Sequence, residues 1–154
     1  MGFALPAAVG ASFATGKPIV MIAGDGGMQA NIQELQTIAH HNLPIKMVVL
    51  NNKSLGMVRQ FQQSYFHERY PSTSWGYSAP DFTDVARAYG IESQTVSDFQ
   101  SLPDAFEKMW MKPQEPFLLQ VFIDVSVNAY PKIAFGQPMT EMEPFAKPLE
   151  MEGT

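Results

Sequence analysis

Two hydrophobic rhythms alternate along the chain. Residues 19–23, 45–50 and 117–124 are short apolar runs bounded by Gly, Pro or Asn, and residues 91–96 form a weaker one. Uninterrupted runs of this length predict β-strands buried on both faces. Between them, apolar residues recur at helical spacing. Met28, Ile32, Leu35 and Ala39 follow one another at steps of four, three and four, with Asn31, Gln33 and Glu34 on the other side. Leu55, Val58, Phe61 and Tyr65 form a second stripe, and Phe82, Val85, Ala86 and Tyr89 a third that Gly90 ends as a C-cap. Ser101 is placed to cap a fourth helix with Leu102, Ala105, Phe106, Met109 and Trp110 turned inward. Residues 3–15, rich in Ala and stopped by Gly16, predict an opening helix.

Alternation of strand and helix predicts an α/β fold, a parallel sheet with helices on both faces joined by right-handed crossovers. Ligands of such sheets bind beyond the carboxyl ends of the strands. The chain opens inside an apolar helix, so the sheet is expected to lack its N-terminal strand and a preceding segment is expected. After Val125 the pattern dissolves into Pro131, Pro138, Pro144 and Pro148 with scattered acids, Glu141 and Glu143 among them. The expected organisation is therefore one domain over residues 1–127 and an extended tail over 128–154.

Composition removes several functions. With 154 residues, 45% apolar and 16% charged, the chain has material for one packed domain. Ten basic against fifteen acidic residues give a net charge of −5, the wrong field for a nucleic-acid partner. Cysteine is absent, so disulfides, thiolate metal sites and thiol nucleophiles are excluded. No apolar run approaches the roughly 20 residues that cross a bilayer. The apolar opening lacks the preceding basic residues of a signal peptide, since the first is Lys17, and Pro6 stands where myristoylation needs Ser or Thr. A cytoplasmic location is expected.

Chemistry concentrates at two strand ends. The first strand delivers Gly24-Asp25-Gly26-Gly27 and then a helix, a combination in which glycines admit close approach and the helix start offers N–H groups to an anion. The second strand ends in Asn51-Asn52. Neighbouring parallel strands end about 4.8 Å apart, so Asp25 and Asn52 can converge on one Mg²⁺ as hard oxygen donors, leaving it positive enough to bind diphosphate. A dinucleotide fingerprint fails because Gln29 stands where the third glycine belongs, and the Lys of a P-loop is missing. An alternative remains open at this point: Asp25 caps a helix and Asn51-Asn52 make a turn.

Gly24-Asp25-Gly26, followed 27 positions after Asp25 by Asn52, resembles the thiamin-diphosphate motif of thiamin-dependent enzymes. Residues 1–8 (Met-Gly-Phe-Ala-Leu-Pro-Ala-Ala), 31–35 (Asn-Ile-Gln-Glu-Leu) and 55–60 (Leu-Gly-Met-Val-Arg-Gln) resemble the carboxyl-terminal cofactor domain of acetolactate synthase catalytic subunits, with likeness over residues 1 to about 145. The resemblance implies the thiamin-diphosphate-binding fold, with Asp25, the Asn52 side chain and the Ser54 main-chain carbonyl as Mg²⁺ ligands. It implies Met1 as the wedge that bends the cofactor, Gly24, Gly26 and Gly27 beside its diphosphate, and Gly56, Met57 and Val58 packed near it. Phe61 stands where the biosynthetic enzymes usually carry the Trp that helps choose 2-ketobutyrate, which marks it as a substrate-pocket residue and leaves the acceptor undefined. No catalytic residue is expected in these residues: the activating glutamate belongs to a pyrimidine-binding domain of the same or a neighbouring subunit. Further implied are pyruvate and a second 2-oxo acid as substrates, FAD in the full-length enzyme, a homo-oligomer and a regulatory subunit. Competing classes are another thiamin-dependent decarboxylase or carboligase, and a binding module that holds Mg²⁺ and a diphosphate without turnover. Other polar residues point to bland roles: His40 and His41 to a helix end at the surface, Trp75, Tyr77 and Trp110 to packing.

Overall fold

A computed structural model describes residues 1–134, 136–140 and 142–143. Four strands, β1 (Ile19–Gly24), β2 (Ile45–Asn51), β3 (Glu92–Val96) and β4 (Phe117–Phe122), form one sheet in the order β1-β2-β4-β3. Every pairing is parallel, as the alternation predicts. The helices are α1 (Ala4–Thr15), α2 (Asp25–Gln29), α3 (Glu34–His40), α4 (Gly56–Tyr65), α5 (Phe82–Ala88) and α6 (Leu102–Trp110). None of them is long and apolar enough to cross a membrane among the described residues.

One face of the sheet carries the main core. Met21 of β1, Ile45, Met47 and Val49 of β2 and Leu118 of β4 pack against Leu5 and Ala8 of α1, Met28 of α2, Leu35 and Ile38 of α3, and Phe82 and Ala86 of α5. The other face holds a smaller cluster, in which Ala105 and Met109 of α6 cover Val48, Val96, Phe117 and Leu119. Helices thus lie on both faces, but α6 packs chiefly on β3 and β4 and reaches only as far as β2. Val20 and Ile22 of β1 are therefore 51% and 61% exposed. Burial on both faces, expected for all the apolar runs, holds for β2 and not for this edge strand, because uniform hydrophobicity does not encode which strand lies inside.

Local details depart from the periodicity in three places. The stripe from Met28 to Ala39 is two helices, since Glu34, Leu35 and Gln36 donate to the carbonyls three residues back. Such tight i−3 bonds break the α-helical ladder without disturbing which side chains face the core. Ser101 makes no side-chain cap; Asp98 accepts from both its N–H and its hydroxyl at 2.8 Å, so the cap lies one turn earlier. Phe106 and Trp110 are 38% and 40% exposed, and only Ala105 and Met109 of the expected inward set are buried.

The tail is not simply extended. Lys132–Ile133 (β5) and Met142–Glu143 (β6) pair as a short antiparallel ribbon, and Asn128 and Ala129 are tied to α4. Glu141, Pro144 and Pro148 lie outside the described residues.

Candidate functional site

The register Gly24↔Leu50 sets the ends of β1 and β2 side by side, so that Asp25 and Asn52 leave adjacent strands at the same edge of the sheet. A cavity of about 550 Å³ opens there, within the ordinary range for small-molecule sites. Met1, Gly24, Asp25, Gly26, Gly27, Asn52, Ser54, Gly56, Met57 and Val58 all line it. Two strand ends, the start of α4 and the chain before α1 therefore assemble the residues singled out by sequence spacing (Gly24 to Gly27, Asn52) and those implied by the resemblance (Met1, Ser54, Gly56, Met57, Val58). Phe61 is not in the lining; it stacks on Tyr65 and Phe66 with ring centroids 4.7 and 5.9 Å apart.

Asp25 is the buried charge of the site, at 2% exposure. Its Oδ1 accepts from the Gly26 N–H at 3.0 Å, while Oδ2 is buried without a well-formed hydrogen bond, the Tyr77 hydroxyl and the Ser54 N–H lying near the carboxylate. Burial raises its pKa above the ordinary carboxylate value, and the Gly26 N–H, the Tyr77 hydroxyl and the Ser54 N–H oppose that rise. An orphaned carboxylate oxygen in a dry site is costly unless something positive meets it. Asn51 and Asn52 do make the expected turn, accepting from the N–H groups of Lys53 and Ser54 at 3.0 and 3.1 Å. A carbonyl oxygen has two lone pairs, so the turn does not exhaust Asn52. The same holds for the Ser54 carbonyl, which accepts from Gly56 N–H at 2.9 Å.

Small residues keep this arrangement open. A Cβ at Gly26 would stand 2.4 Å from Leu55 Cδ2 and 3.7 Å from Met1 Cε, which places the Met1 side chain over the glycine loop. A Cβ at Gly56 would stand 2.6 Å from Asn52 Nδ2. The α2 helix has only five residues, so its dipole is a modest attraction for an anion. Among the described residues no cluster of three or more His, Cys, Asp or Glu could hold a metal; a set of one carboxylate, one amide and one carbonyl does not form such a cluster.

Several contributors escape sequence reasoning. Tyr77, expected to be a packing residue, brings its hydroxyl to 3.5 Å from the Cβ position of Gly26, buried and without a well-formed hydrogen bond. Burial first, and then the Asp25 charge, push its pKa up to about 12. Gln60, Ile123, Val127, Asn128 and Ala129 also line the cavity. Gln60 is the last residue of the 55–60 stretch and was within reach of a sequence argument. The others come from the loop before α5 and the segment after β4, and nothing in local spacing links those segments to the strand ends.

Comparison with known proteins agrees with this geometry. Residues 1–121 match the family model of the thiamine pyrophosphate enzyme, C-terminal TPP binding domain. The chain is 41% identical over 149 residues to the acetolactate synthase large subunit of Porphyra purpurea, covering 96% of this chain and 25% of that protein. It is 43% identical over 143 residues to the acetolactate synthase isozyme 2 large subunit of Escherichia coli (strain K12), covering 92% of this chain and 26% of that protein. Among solved structures it resembles the Rhodococcus jostii RHA1 thiamine diphosphate-dependent 4-hydroxybenzoylformate decarboxylase, with a TM-score of 0.71 and 29% identity over 80% of this chain and 23% of that one. The chain spans about a quarter of the length of the curated relatives it matches. Sheet order, glycine loop and family match together assign the chain to the thiamine pyrophosphate enzymes, as their C-terminal TPP binding domain.

Proposed function

We propose that this chain is the thiamin-diphosphate- and Mg²⁺-binding part of an acetolactate synthase, which joins a two-carbon unit from pyruvate to a second 2-oxo acid with loss of CO₂. The observation that carries this reading is the buried Oδ2 of Asp25, without a well-formed hydrogen bond, in the lining of a cavity shared with Asn52 and Ser54. The donor set is all oxygen and carries one negative charge, which suits Mg²⁺ bridging to a diphosphate. Asp25, the Asn52 side chain and the Ser54 carbonyl would hold the ion, and Gly24, Gly26 and Gly27 leave room for the diphosphate. Met1, whose Cε lies 3.7 Å from a Cβ built at Gly26, would serve as the apolar wedge. Thiamin diphosphate, when bound, supplies a carbon acid that becomes the nucleophile. The chain's own part is to bind, orient and shield it, with Met57, Val58 and Ile123 as apolar wall.

Replacing Asp25 by Ala, or stripping Mg²⁺ with a chelator, is expected to abolish thiamin diphosphate binding measured by calorimetry on the complete protein. Unchanged affinity in both experiments would refute the metal assignment. Likeness to a 4-hydroxybenzoylformate decarboxylase keeps a thiamin-dependent decarboxylase as second reading; chromatography of the products from pyruvate separates the two, since only the first yields acetolactate.

In the proposed enzyme a carboxylate would be needed to support the cofactor's aminopyrimidine as base. Glu34, the nearest acid to the motif in sequence, is not in the cavity lining. The proposal therefore places that glutamate in a pyrimidine-binding domain of the same or a neighbouring subunit. FAD, homo-oligomerisation, a regulatory subunit and a cytoplasmic setting belong to the same reading. These 154 residues on their own are expected to release no CO₂ from pyruvate with saturating thiamin diphosphate and Mg²⁺. Turnover matching the complete enzyme would contradict the missing carboxylate.

A further inference from the structure

Arg59 is an anomaly in this site. It is 6% exposed, yet no carboxylate forms an ion pair with it among the described residues. Its acceptors are all neutral: Nη2 donates to the carbonyls of Ser126 and Val127 at 3.2 and 3.3 Å and to Asn128 Oδ1 at 2.5 Å. The nearby charge is that of exposed Asp124, which feels Arg59 but forms no ion pair with it, and burying a guanidinium without a direct counter-ion is unfavourable. What the guanidinium supplies here is one planar nitrogen, Nη2, that reaches two backbone carbonyls and Asn128 Oδ1, while Nη1 turns to Gln63 Oε1 at 3.5 Å.

The neighbouring residue completes the device. Gln60 Nε2 donates to the Ala129 carbonyl at 2.9 Å, and the Ala129 N–H donates back to Gln60 Oε1 at 3.1 Å. Asn128 Nδ2 donates to Gln63 Oε1 at 2.9 Å. Three side chains of one helix thus bind both polar ends of Asn128 and both backbone groups of Ala129. The segment they hold is no remote tail, because Val127, Asn128 and Ala129 line the same cavity as Asp25 and Asn52. With the Asn128 side chain and the Ala129 backbone engaged on α4, the Val127 side chain, 60% exposed, lines the cavity together with Met57, Val58 and Ile123.

We propose that Arg59 and Gln60 are positioning residues that clamp residues 126–129 as a preformed apolar wall, and that this wall receives the alkyl group of the 2-oxo acid. The role as substrate wall rests on the function proposed above, whereas the clamp itself does not. Clamping lowers the entropy lost on binding, since a wall that is already ordered need not be ordered by the ligand. Loosening it is expected to weaken substrate binding more than it slows chemistry.

The test uses the complete protein and Arg59→Met, which keeps the length of the stem and loses the fork. Hydrogen exchange at the Ala129 amide is expected to accelerate at least about tenfold while β2 and β4 stay protected. The KM for pyruvate is expected to rise about tenfold with kcat changed less than about threefold, and thiamin diphosphate affinity unchanged. Arg59→Lys, which keeps the charge and a donor head but loses the planar, preorganised geometry, is expected to fall between. Asn128→Ala removes a partner from the loop side and leaves α4 intact, so it carries the test if Arg59→Met fails to fold. Unaltered exchange at Ala129 in Arg59→Met or Asn128→Ala would overturn the clamp. Accelerated exchange with an unchanged KM would overturn the substrate wall. Failure of the unsubstituted protein to bind thiamin diphosphate would overturn the function proposed for the cavity, and the exchange measurement would still decide the clamp.

Discussion

Gly56 shows how a residue with no functional group can decide whether a metal site exists. It begins α4, and the space its missing Cβ leaves is taken by the Asn52 amide, 2.6 Å from where that carbon would stand. No positive φ is involved; the constraint is contact alone. In Gly56→Ala the Asn52 side chain has to swing away, and the bond from Ser54 N–H to its Oδ1 at 3.1 Å goes with it. The fold should tolerate this, since Ala gains up to about 1 kcal/mol over Gly in a helix. Calorimetric titration with Mg²⁺ and thiamin diphosphate should then show affinity down at least about tenfold, some 1.4 kcal/mol, with an undiminished unfolding midpoint. Equal affinity in variant and parent would mean that Asn52 is not a ligand. Asp25 and Asn52 were legible in the sequence because both follow directly from strand ends. Tyr77 was not, because its approach to Asp25 is made by a loop far along the chain, and no spacing rule relates the two.

Among the elements, α5 illustrates the same limit. Its apolar spacing at Phe82, Val85 and Ala86 is readable, but its start is fixed by Asp81, whose Oδ1 accepts from Thr83 N–H at 2.8 Å, Thr83 Oγ1 at 2.6 Å and Asp84 N–H at 3.4 Å. The Thr83 hydroxyl, with the two backbone N–H groups and Arg87, holds the Asp81 carboxyl below its ordinary pKa against a smaller opposing effect of burial. A carboxyl whose folded pKa is depressed stabilises fully above the unfolded value, and that contribution fades as pH falls through the folded value. Asp81→Ala is therefore expected to cost about 1 kcal/mol at pH 7, as lost caps do. The gap between variant and parent in urea unfolding should narrow as pH drops below the carboxylate range. A gap independent of pH would assign the loss to packing instead. Strand positions were legible for a related reason, since apolar runs bounded by turn residues need no knowledge of neighbours. The break between α2 and α3 was not, because i−3 bonds alter the ladder and leave the periodicity intact.

At the scale of the whole molecule, the sheet is unevenly covered. On the α6 face, Leu50 is 36% exposed beside Val20 and Ile22, and β1 stands at the end of the strand order, so one row of its backbone groups meets no further strand among the described residues. Apolar side chains beside an open strand edge form a template for association. Hydrophobicity alone could not reveal this, since the residues of β1 are as apolar as those of β2 and only the strand order distinguishes them. Ile22, 61% exposed, has room for a charged head in solvent. Ile22→Lys in the chain produced by itself should shift stability by less than about 0.5 kcal/mol while it reduces self-association in sedimentation velocity. Unchanged association would show that this face is not what drives it. In the complete protein the same substitution separates two situations: a loss above about 1 kcal/mol would mean that another part of the polypeptide or a second subunit covers Ile22, because a charge forced under a covering layer is desolvated, and a neutral result would leave the face in water there too.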